Sequence, residues 1–129
     1  MKLSDKNPFQ AFVGIQLEKV DEMGSFLSLK LEPQHFNLYG IVHGGVHSTI
    51  LDIAMGMAGG YSPCKNRKIS TITLNLSINY LLQTKEKKIF AHGFISRRTH
   101  KLAFCEGKIT DSNKNVLSMG TAVFKLVRS

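Results

Sequence analysis

The alternation of apolar and polar residues predicts one long helix and about six strands. Residues 15–20 and 27–32 have the two-residue period of half-buried strands, and Met23-Gly24-Ser25 between them is typical of a hairpin turn. Four later stretches are predicted to be strands separated by short polar turns: 69–82, 88–98, 101–111 and 116–127. Because consecutive strands joined by short turns pair antiparallel, we expect an α+β fold with an antiparallel sheet.

The helical pattern extends from about residue 44 to residue 61, where Ser62-Pro63 ends it. One side of this helix is apolar over about half of its circumference. The opposite side carries small residues and a single acid: Gly45, Ser48, Thr49, Asp52, Gly56, Gly59 and Gly60. A solvated helix face normally carries more charge. We therefore expect the apolar side to pack on the sheet and the small-residue side to meet a second subunit or a substrate.

Composition and charge narrow the class of protein. Hydrophobic residues make up 43% and charged residues 20%, which excludes a disordered chain, and we predict a single domain over residues 1–129. The formal net charge of +8 favours anionic partners but does not choose among them. No apolar run is long enough to span a membrane, and the first residues lack the apolar core of a signal peptide. We expect a cytoplasmic protein with reduced cysteines.

The densest group of chemically useful residues lies where the helix is predicted to start, at His43-Gly44-Gly45. Backbone N–H groups at a helix start have no partner within the helix, and glycine lets a ligand oxygen approach them closely. The helix dipole adds partial positive charge there. This suits the carbonyl oxygen of an acyl group, which gains negative charge during nucleophilic attack. The alternative is a glycine-rich helix start with a purely backbone role.

Asp52 is the one charged residue of the predicted helix. It could act as a nucleophile or as the general base that activates water, and the alternative is a buried hydrogen-bonding anchor. Asp52 lies eight residues beyond Gly44, which is about 12 Å along the helix axis. One helix therefore cannot bring both residues to the same carbon. We expect Gly44 of one subunit to work with Asp52 of another across a two-fold axis.

Other patterns carry weaker predictions. His43 and His47 have a spacing that could hold a metal ion with Asp52 or His35. However, the residue after the first histidine is Gly44, whereas the helix of a zinc peptidase has Glu there. We therefore predict no metal site, and we also predict no cofactor. Cys64 and Cys105 are predicted to be packing residues. Three basic clusters lie in predicted turns or strand ends, where they are either solvated charge or phosphate contacts: Lys65, Arg67 and Lys68; Lys85, Lys87 and Lys88; Arg97, Arg98, His100 and Lys101.

The helix start and the residues before it resemble a known family. Asn37, Gly40, His43-Gly44-Gly45 and Asp52 match the pattern Asn-x-x-Gly-x-x-His-Gly-Gly-x6-Asp of hotdog-fold thioesterases, in the 4HBT superfamily. The branch that they resemble most is the phenylacetate-degradation-type (PaaI-like) acyl-CoA thioesterases. Residues 71–82 and 101–104 extend the similarity to the later strands. The resemblance implies a sheet wrapped around one central helix, and dimers whose sheets join edge to edge.

The resemblance also implies a role for individual residues. The Gly44 N–H would polarise a thioester carbonyl, and Asp52 of the partner subunit would be nucleophile or general base. Asn37 and His43 would orient the substrate or water, and Thr73 stands where relatives often have a Ser that helps to hold the nucleophilic water. Four further residues are predicted to contact coenzyme A. Gly45 is one of them, and the other three are predicted to bind its phosphates: Arg97, Arg98 and Lys101.

The function implied is an acyl-CoA thioesterase that releases a free acid and coenzyme A, working as a homodimer or a dimer-of-dimers tetramer. A non-catalytic acyl-CoA-binding or regulatory module is the alternative, and Asp52 counts against it because binding alone needs no carboxylate beside a thioester. We expect no nucleic-acid partner, since exposed aromatic residues are not interleaved with the basic ones. A hotdog dehydratase would carry a different local motif. The sequence does not determine which acyl group is the substrate or which basic cluster binds coenzyme A.

Overall fold

Two helices and six strands make up the computed structural model, which describes residues 7–64 and 66–128. The helices are α1 (Pro8–Val13) and α2 (Gly44–Gly59), and a 3-10 turn covers Pro33–His35. The strands are β1 (Gln16–Asp21), β2 (Gly24–Lys30), β3 (Ile69–Tyr80), β4 (Lys88–Arg98), β5 (Leu102–Thr110) and β6 (Val116–Arg128). All six predicted strands and the long helix are confirmed, and their ends differ from the predictions by three residues or fewer. Lys65, from the first basic cluster, lies outside the described residues.

The six strands form one antiparallel sheet in the order β1-β2-β4-β5-β6-β3. The chain leaves α2, forms β3 at one edge of the sheet, and returns through β4 to pair beside β2. The sheet curves around α2, which contacts every strand. The predicted α+β architecture, an antiparallel sheet wrapped around one central helix, is confirmed. Within the described residues no helix is long and apolar enough to cross a membrane.

A row of three glycines faces the helix, and at one of them, Gly93, the helix backbone is in direct contact with the sheet. Gly93, Gly107 and Gly120 are neighbours across β4, β5 and β6. A Cβ atom on Gly93 would lie 2.5 Å from the carbonyl of Ala54 in α2, far inside van der Waals contact. In the same row, the Ser25 hydroxyl of β2 donates a hydrogen bond to that Ala54 oxygen at 2.5 Å. The middle of the helix is therefore fixed on the sheet with no side chain between the two backbones.

Because of this close contact, the buried side of α2 differs from the one predicted from the sequence. Gly56 and Gly59 were assigned to the open side of the helix, and both are buried beside Phe124. The assignment of Gly59 was wrong, since it packs on β5, whereas Gly56 still borders the cavity on the open side. Conversely, Ile53 and Met57 from the predicted apolar side are only partly buried. The reason is that the curved sheet covers small residues as readily as large ones where it lies close to the helix. Asp52 remains partly exposed on the uncovered side.

We predict that Gly93→Ala lowers the free energy of unfolding by about 3 kcal/mol, because the new methyl group overlaps helix backbone that cannot move independently. Gly107→Ala is the matched control. There the new methyl meets Met55 Cγ at 3.1 Å, a Leu51 methyl at 3.2 Å and the His92 carbonyl oxygen at 3.3 Å. These contacts need shifts of only a few tenths of an ångström, so about 1 kcal/mol is expected. Urea denaturation of both variants measures the difference. Equal losses at the two positions would contradict the close-contact account.

Candidate active site

The first turn of α2 leaves one backbone donor without a partner. His43 is the N-cap, and its Nδ1 accepts the Gly45 N–H at 2.8 Å while its carbonyl accepts the Val46 N–H at 2.9 Å. The Gly44 N–H has no acceptor among the described residues. The predicted pair of free N–H groups is thus reduced to one, because the histidine before them already binds the second. This turn presents a single donor, at the positive end of the helix dipole.

The loop before the helix holds Asn37 in a fixed orientation. Its side-chain oxygen accepts the backbone N–H groups of Tyr39 at 2.8 Å and Ile41 at 3.3 Å, while the Asn37 N–H donates to the Ile41 carbonyl at 2.8 Å. These bonds occupy the amide oxygen within the loop. The amide NH2 group has no acceptor among the described residues, so it remains as a second polar donor in this region.

His35 joins this loop to the rest of the molecule. It is buried, its Nδ1 accepts the Glu32 N–H at 2.8 Å, and its Nε2 lies 2.7 Å from the Val13 carbonyl. The His43 N–H donates to the His35 carbonyl at 2.8 Å. Both ring nitrogens of His35 therefore have structural partners. Within the described residues, no group of three or more His, Cys, Asp and Glu side chains is placed to hold a metal ion.

The last residue of β3 supports the Gly44 turn. The Tyr80 hydroxyl donates a hydrogen bond to the Gly44 carbonyl at 2.9 Å, and its ring lies against the glycine. The same ring meets His47 edge-on, with centroids 5.3 Å apart. His47 is buried, and its Nδ1 lies 2.7 Å from the Ser118 hydroxyl. Burial lowers the pKa of His47, so its ring is neutral at neutral pH.

A cavity of about 1080 Å³ opens at this turn. Its lining includes Asn37, Gly44, His47, Tyr80 and Lys85. The structure therefore brings together three of the predicted site residues, Asn37, Gly44 and Gly45. It adds three residues that the sequence did not nominate for this place. Only the strand register and the course of the chain after β3 bring Tyr80 and Lys85 to this cavity.

Asp52 lies in a second cavity, of about 620 Å³, on the open side of the helix. Its Oδ1 accepts a hydrogen bond from the Thr73 hydroxyl at 2.7 Å. Thr73, predicted to help to hold the nucleophilic water, is thus in direct contact with the carboxylate. Apolar side chains of the edge strand β1 and of α2 line the same cavity, among them Leu17, Val20, Ile53 and Met57.

The two halves of the predicted site are separate within one chain. No described residue lines both cavities. Each half is attached to β3, since Thr73 binds Asp52 and Tyr80 binds Gly44. These two residues are seven positions apart, which is about 23 Å along a strand. A single chain therefore presents a carbonyl-binding donor and a carboxylate that cannot act on one substrate atom.

The predicted coenzyme A contacts differ in their surroundings. Arg98 donates from Nη1 to the carbonyls of Gly59 at 3.0 Å and Tyr61 at 2.7 Å, so its guanidinium binds the C-terminal end of α2. Arg97 and Lys101 are exposed. None of the three lines either cavity, whereas Lys85 lines the one at Gly44.

The two cysteines lie away from both halves of the site. Cys105 is buried, and this burial raises the pKa of its thiol to about 11, although the nearby Arg98 charge acts in the opposite direction. The protonated thiol is a poor nucleophile, in agreement with its prediction as a packing residue. Cys64 is exposed after the end of α2, so its prediction as a packing residue was wrong.

Three solved structures resemble the chain closely. Thioesterase HI1161 from Haemophilus influenzae superposes with a TM-score of 0.84 at 14% identity, over 98% of this chain and 91% of that one. The PaaI phenylacetic acid degradation protein from Thermus thermophilus, solved as a mutant, gives 0.81 at 14% identity, over 92% and 98%. The BH2602 protein from Bacillus halodurans, solved with CoA, gives 0.71 at 27% identity, over 78% and 70%.

A family model agrees with these superpositions. The model of the thioesterase superfamily matches residues 39–118, which include the Gly44 turn, Asp52 and Thr73. The match covers more than half of the chain and confirms the resemblance drawn from the helix-start pattern. This chain, with its six-stranded sheet around one helix, belongs to the thioesterase superfamily and has the hotdog fold.

Proposed function

We propose that this protein is an acyl-CoA thioesterase of the PaaI-like type, which hydrolyses an acyl-CoA thioester to a free carboxylic acid and coenzyme A. The observation that carries the proposal is the pair of half-sites. An unpartnered N–H at a helix start suits a thioester carbonyl, and a carboxylate held by Thr73 suits the activation of water. Membership of the thioesterase superfamily and the CoA-bound relative support the same chemistry.

In the proposed reaction, the thioester carbonyl oxygen accepts a hydrogen bond from the Gly44 N–H. Negative charge grows on this oxygen as the carbonyl carbon is attacked, and the helix dipole stabilises it. Asp52 of the partner subunit either attacks the carbon itself or removes a proton from an attacking water. Thr73 occupies Oδ1, so Oδ2 of Asp52 is the oxygen that reacts in both routes. The bond from carbon to sulfur then breaks. In the general-base route the acid forms at once, and the proton held by Asp52 passes to the coenzyme A thiolate. In the nucleophilic route an acyl-Asp52 anhydride forms, water hydrolyses it to the free acid and the Asp52 carboxylate, and the proton released from that water goes to the thiolate.

The edge strand β3 supplies the means of joining two half-sites. No described strand of the same chain pairs with its outer edge, and exposed apolar side chains lie on and after it: Ile72, Leu74, Tyr80, Leu81 and Leu82. We propose that β3 pairs antiparallel with β3 of a second copy around a two-fold axis at Ser77. This register keeps helix-facing residues opposite one another. It also brings Tyr80 of one copy to the bulge that follows Thr73 in the other.

We predict that Asp52→Asn lowers kcat for acyl-CoA hydrolysis at least about 100-fold and leaves the fold intact, because the amide neither attacks nor accepts a proton. Thiol release measured over acyl-CoA esters, from short aliphatic to arylacetyl, gives kcat and the acyl preference together. Asp21→Asn, at a partly exposed position in the β1–β2 hairpin, is the control, since Asn keeps the side-chain oxygen that accepts the Met23 N–H. A folded Asp52→Asn protein with wild-type kcat would contradict the mechanism. A wild-type protein that binds acyl-CoA without turnover would favour the binding module.

We predict that Ser77→Cys, in a Cys64→Ser background, forms a disulfide between two subunits on mild oxidation. Residues opposite each other in an antiparallel pair have Cα atoms about 4.5–5.5 Å apart, which is within disulfide reach. Asn79→Cys is the matched control, because it is on the same exposed face and its own copy would lie about 13 Å away. Non-reducing electrophoresis distinguishes the two. Faster cross-linking through position 79 would exclude the axis at Ser77.

We propose that Lys85 contacts the phosphates of coenzyme A, since it is the cluster residue that lines the Gly44 cavity. Lys85→Glu is expected to raise KM for acyl-CoA several-fold with little change in kcat, and to matter much less for an acyl-N-acetylcysteamine ester, which lacks the phosphates. Arg97→Glu is the comparison variant, since Arg97 belongs to the basic cluster that the sequence analysis favoured. Arg98 of that cluster is left unchanged because it binds the C-terminal end of α2. If only Arg97→Glu raises KM, the phosphates bind at the β4–β5 turn instead.

A further inference from the structure

His47 has a ring nitrogen that its structural contacts leave unused. The residue is only 7% exposed, and it lines the same cavity as Gly44. Its Nδ1 is bonded to Ser118, whereas Nε2 has no partner among the described residues. The one described side-chain atom that is both fully buried and without a partner is Gln10 Oε1. The Nε2 atom of His47 is therefore accessible from the cavity.

Ser118 determines which nitrogen carries the proton. Ser118 is completely buried on β6, and its hydroxyl has no acceptor other than His47 among the described residues. Because a buried hydroxyl without an acceptor is unfavourable, Ser118 donates its proton to Nδ1. Nδ1 is then an acceptor, so the hydrogen of the neutral ring is on Nε2. The cavity thus contains an N–H donor on a neutral, rigidly held side chain.

The position of this donor relates it to Gly44. Residues three apart in a helix are neighbours on one face, and His47 is three residues beyond Gly44. Tyr80 contacts both residues, through its hydroxyl on the Gly44 carbonyl and its ring edge on His47. The Gly44 N–H and the His47 Nε2–H are therefore two donors of one cavity. Neutrality matters, since a buried imidazolium would need a compensating anion.

We propose that His47 donates its Nε2–H to the thioester carbonyl oxygen, as the second donor beside the Gly44 N–H. This inference rests on the proposed thioesterase function. Two donors on one carbonyl oxygen stabilise the charge of the transition state more than the ground state, so the effect falls on kcat. Ser118 is a positioning residue in this arrangement, because it acts through the tautomer and orientation of His47. A role in packing alone would account for the Nδ1 contact but not for a second nitrogen open to the cavity.

Two amide variants separate these roles. The side-chain nitrogen of Gln lies near the position of His Nε2, whereas Asn reaches only as far as Nδ1. We expect His47→Asn to keep the Ser118 contact and to lower kcat about 100-fold with little change in KM. His47→Gln should stay within about tenfold of the wild-type kcat, since it keeps a donor in the cavity. Thermal denaturation shows whether both variants fold.

The outcomes distinguish this inference from the function on which it rests. If the wild-type protein is active and a folded His47→Asn protein is as active as His47→Gln, the His47 proposal alone is overturned. A wild-type protein inactive on every acyl-CoA ester would contradict the thioesterase function itself. A measurement independent of turnover is the 15N NMR spectrum of the imidazole. We expect the Nε2–H tautomer in the wild-type protein and loss of this preference in Ser118→Ala. An Nδ1–H tautomer in the wild-type protein would overturn the proposal.

Discussion

The contact between the backbone of α2 and the glycine row of the sheet determines the geometry of the molecule. Because Gly93 has no side chain, the carbonyl of Ala54 lies directly on β4 and also accepts the Ser25 hydroxyl. A helix that is so close to its sheet cannot slide or rotate without overlap. Both ends of α2 are then fixed relative to β3. This explains how two side chains of one edge strand, Thr73 and Tyr80, reach Asp52 and Gly44 at separate places on the helix.

The same rigidity separates the two chemical groups of the site. The free N–H of Gly44 is at the positive end of the helix, and the carboxylate of Asp52 is about 12 Å further along its axis. At this separation the carboxylate does not neutralise the donor of its own chain. In the dimer that we propose, a two-fold axis joins the β3 edges and exchanges the two ends, which would place each donor beside the carboxylate of the other copy. In this account the active site is a consequence of dimer formation, and each dimer contains two sites.

The parts of the fold that depend on local patterns could be predicted from the sequence. Alternation over 88–98 predicts β4 with its observed ends, and the His-Gly-Gly pattern predicts the start of α2. Contacts that depend on three-dimensional register could not be predicted. Nothing in the sequence around Arg98 indicates that its guanidinium binds the C-terminal end of α2. Likewise, the contact from Tyr80 to Gly44 depends on the β3–β6 pairing and on how closely the helix packs on the sheet. Only the folded chain determines both. The error at Gly59 has the same origin, because small residues carry little periodic signal.

The shared active site is tested most directly by mixing two inactive proteins. Gly44→Pro removes the free N–H at a position where proline suits a helix, and His43 already has the extended conformation that a following proline requires (φ −61°, ψ 136°). Asp52→Asn removes the carboxylate. After subunit exchange at equal concentrations, about half of the dimers are mixed and each contains one intact site, so we predict recovery of about a quarter of the wild-type activity. No recovery despite exchange demonstrated by mass spectrometry would contradict the account.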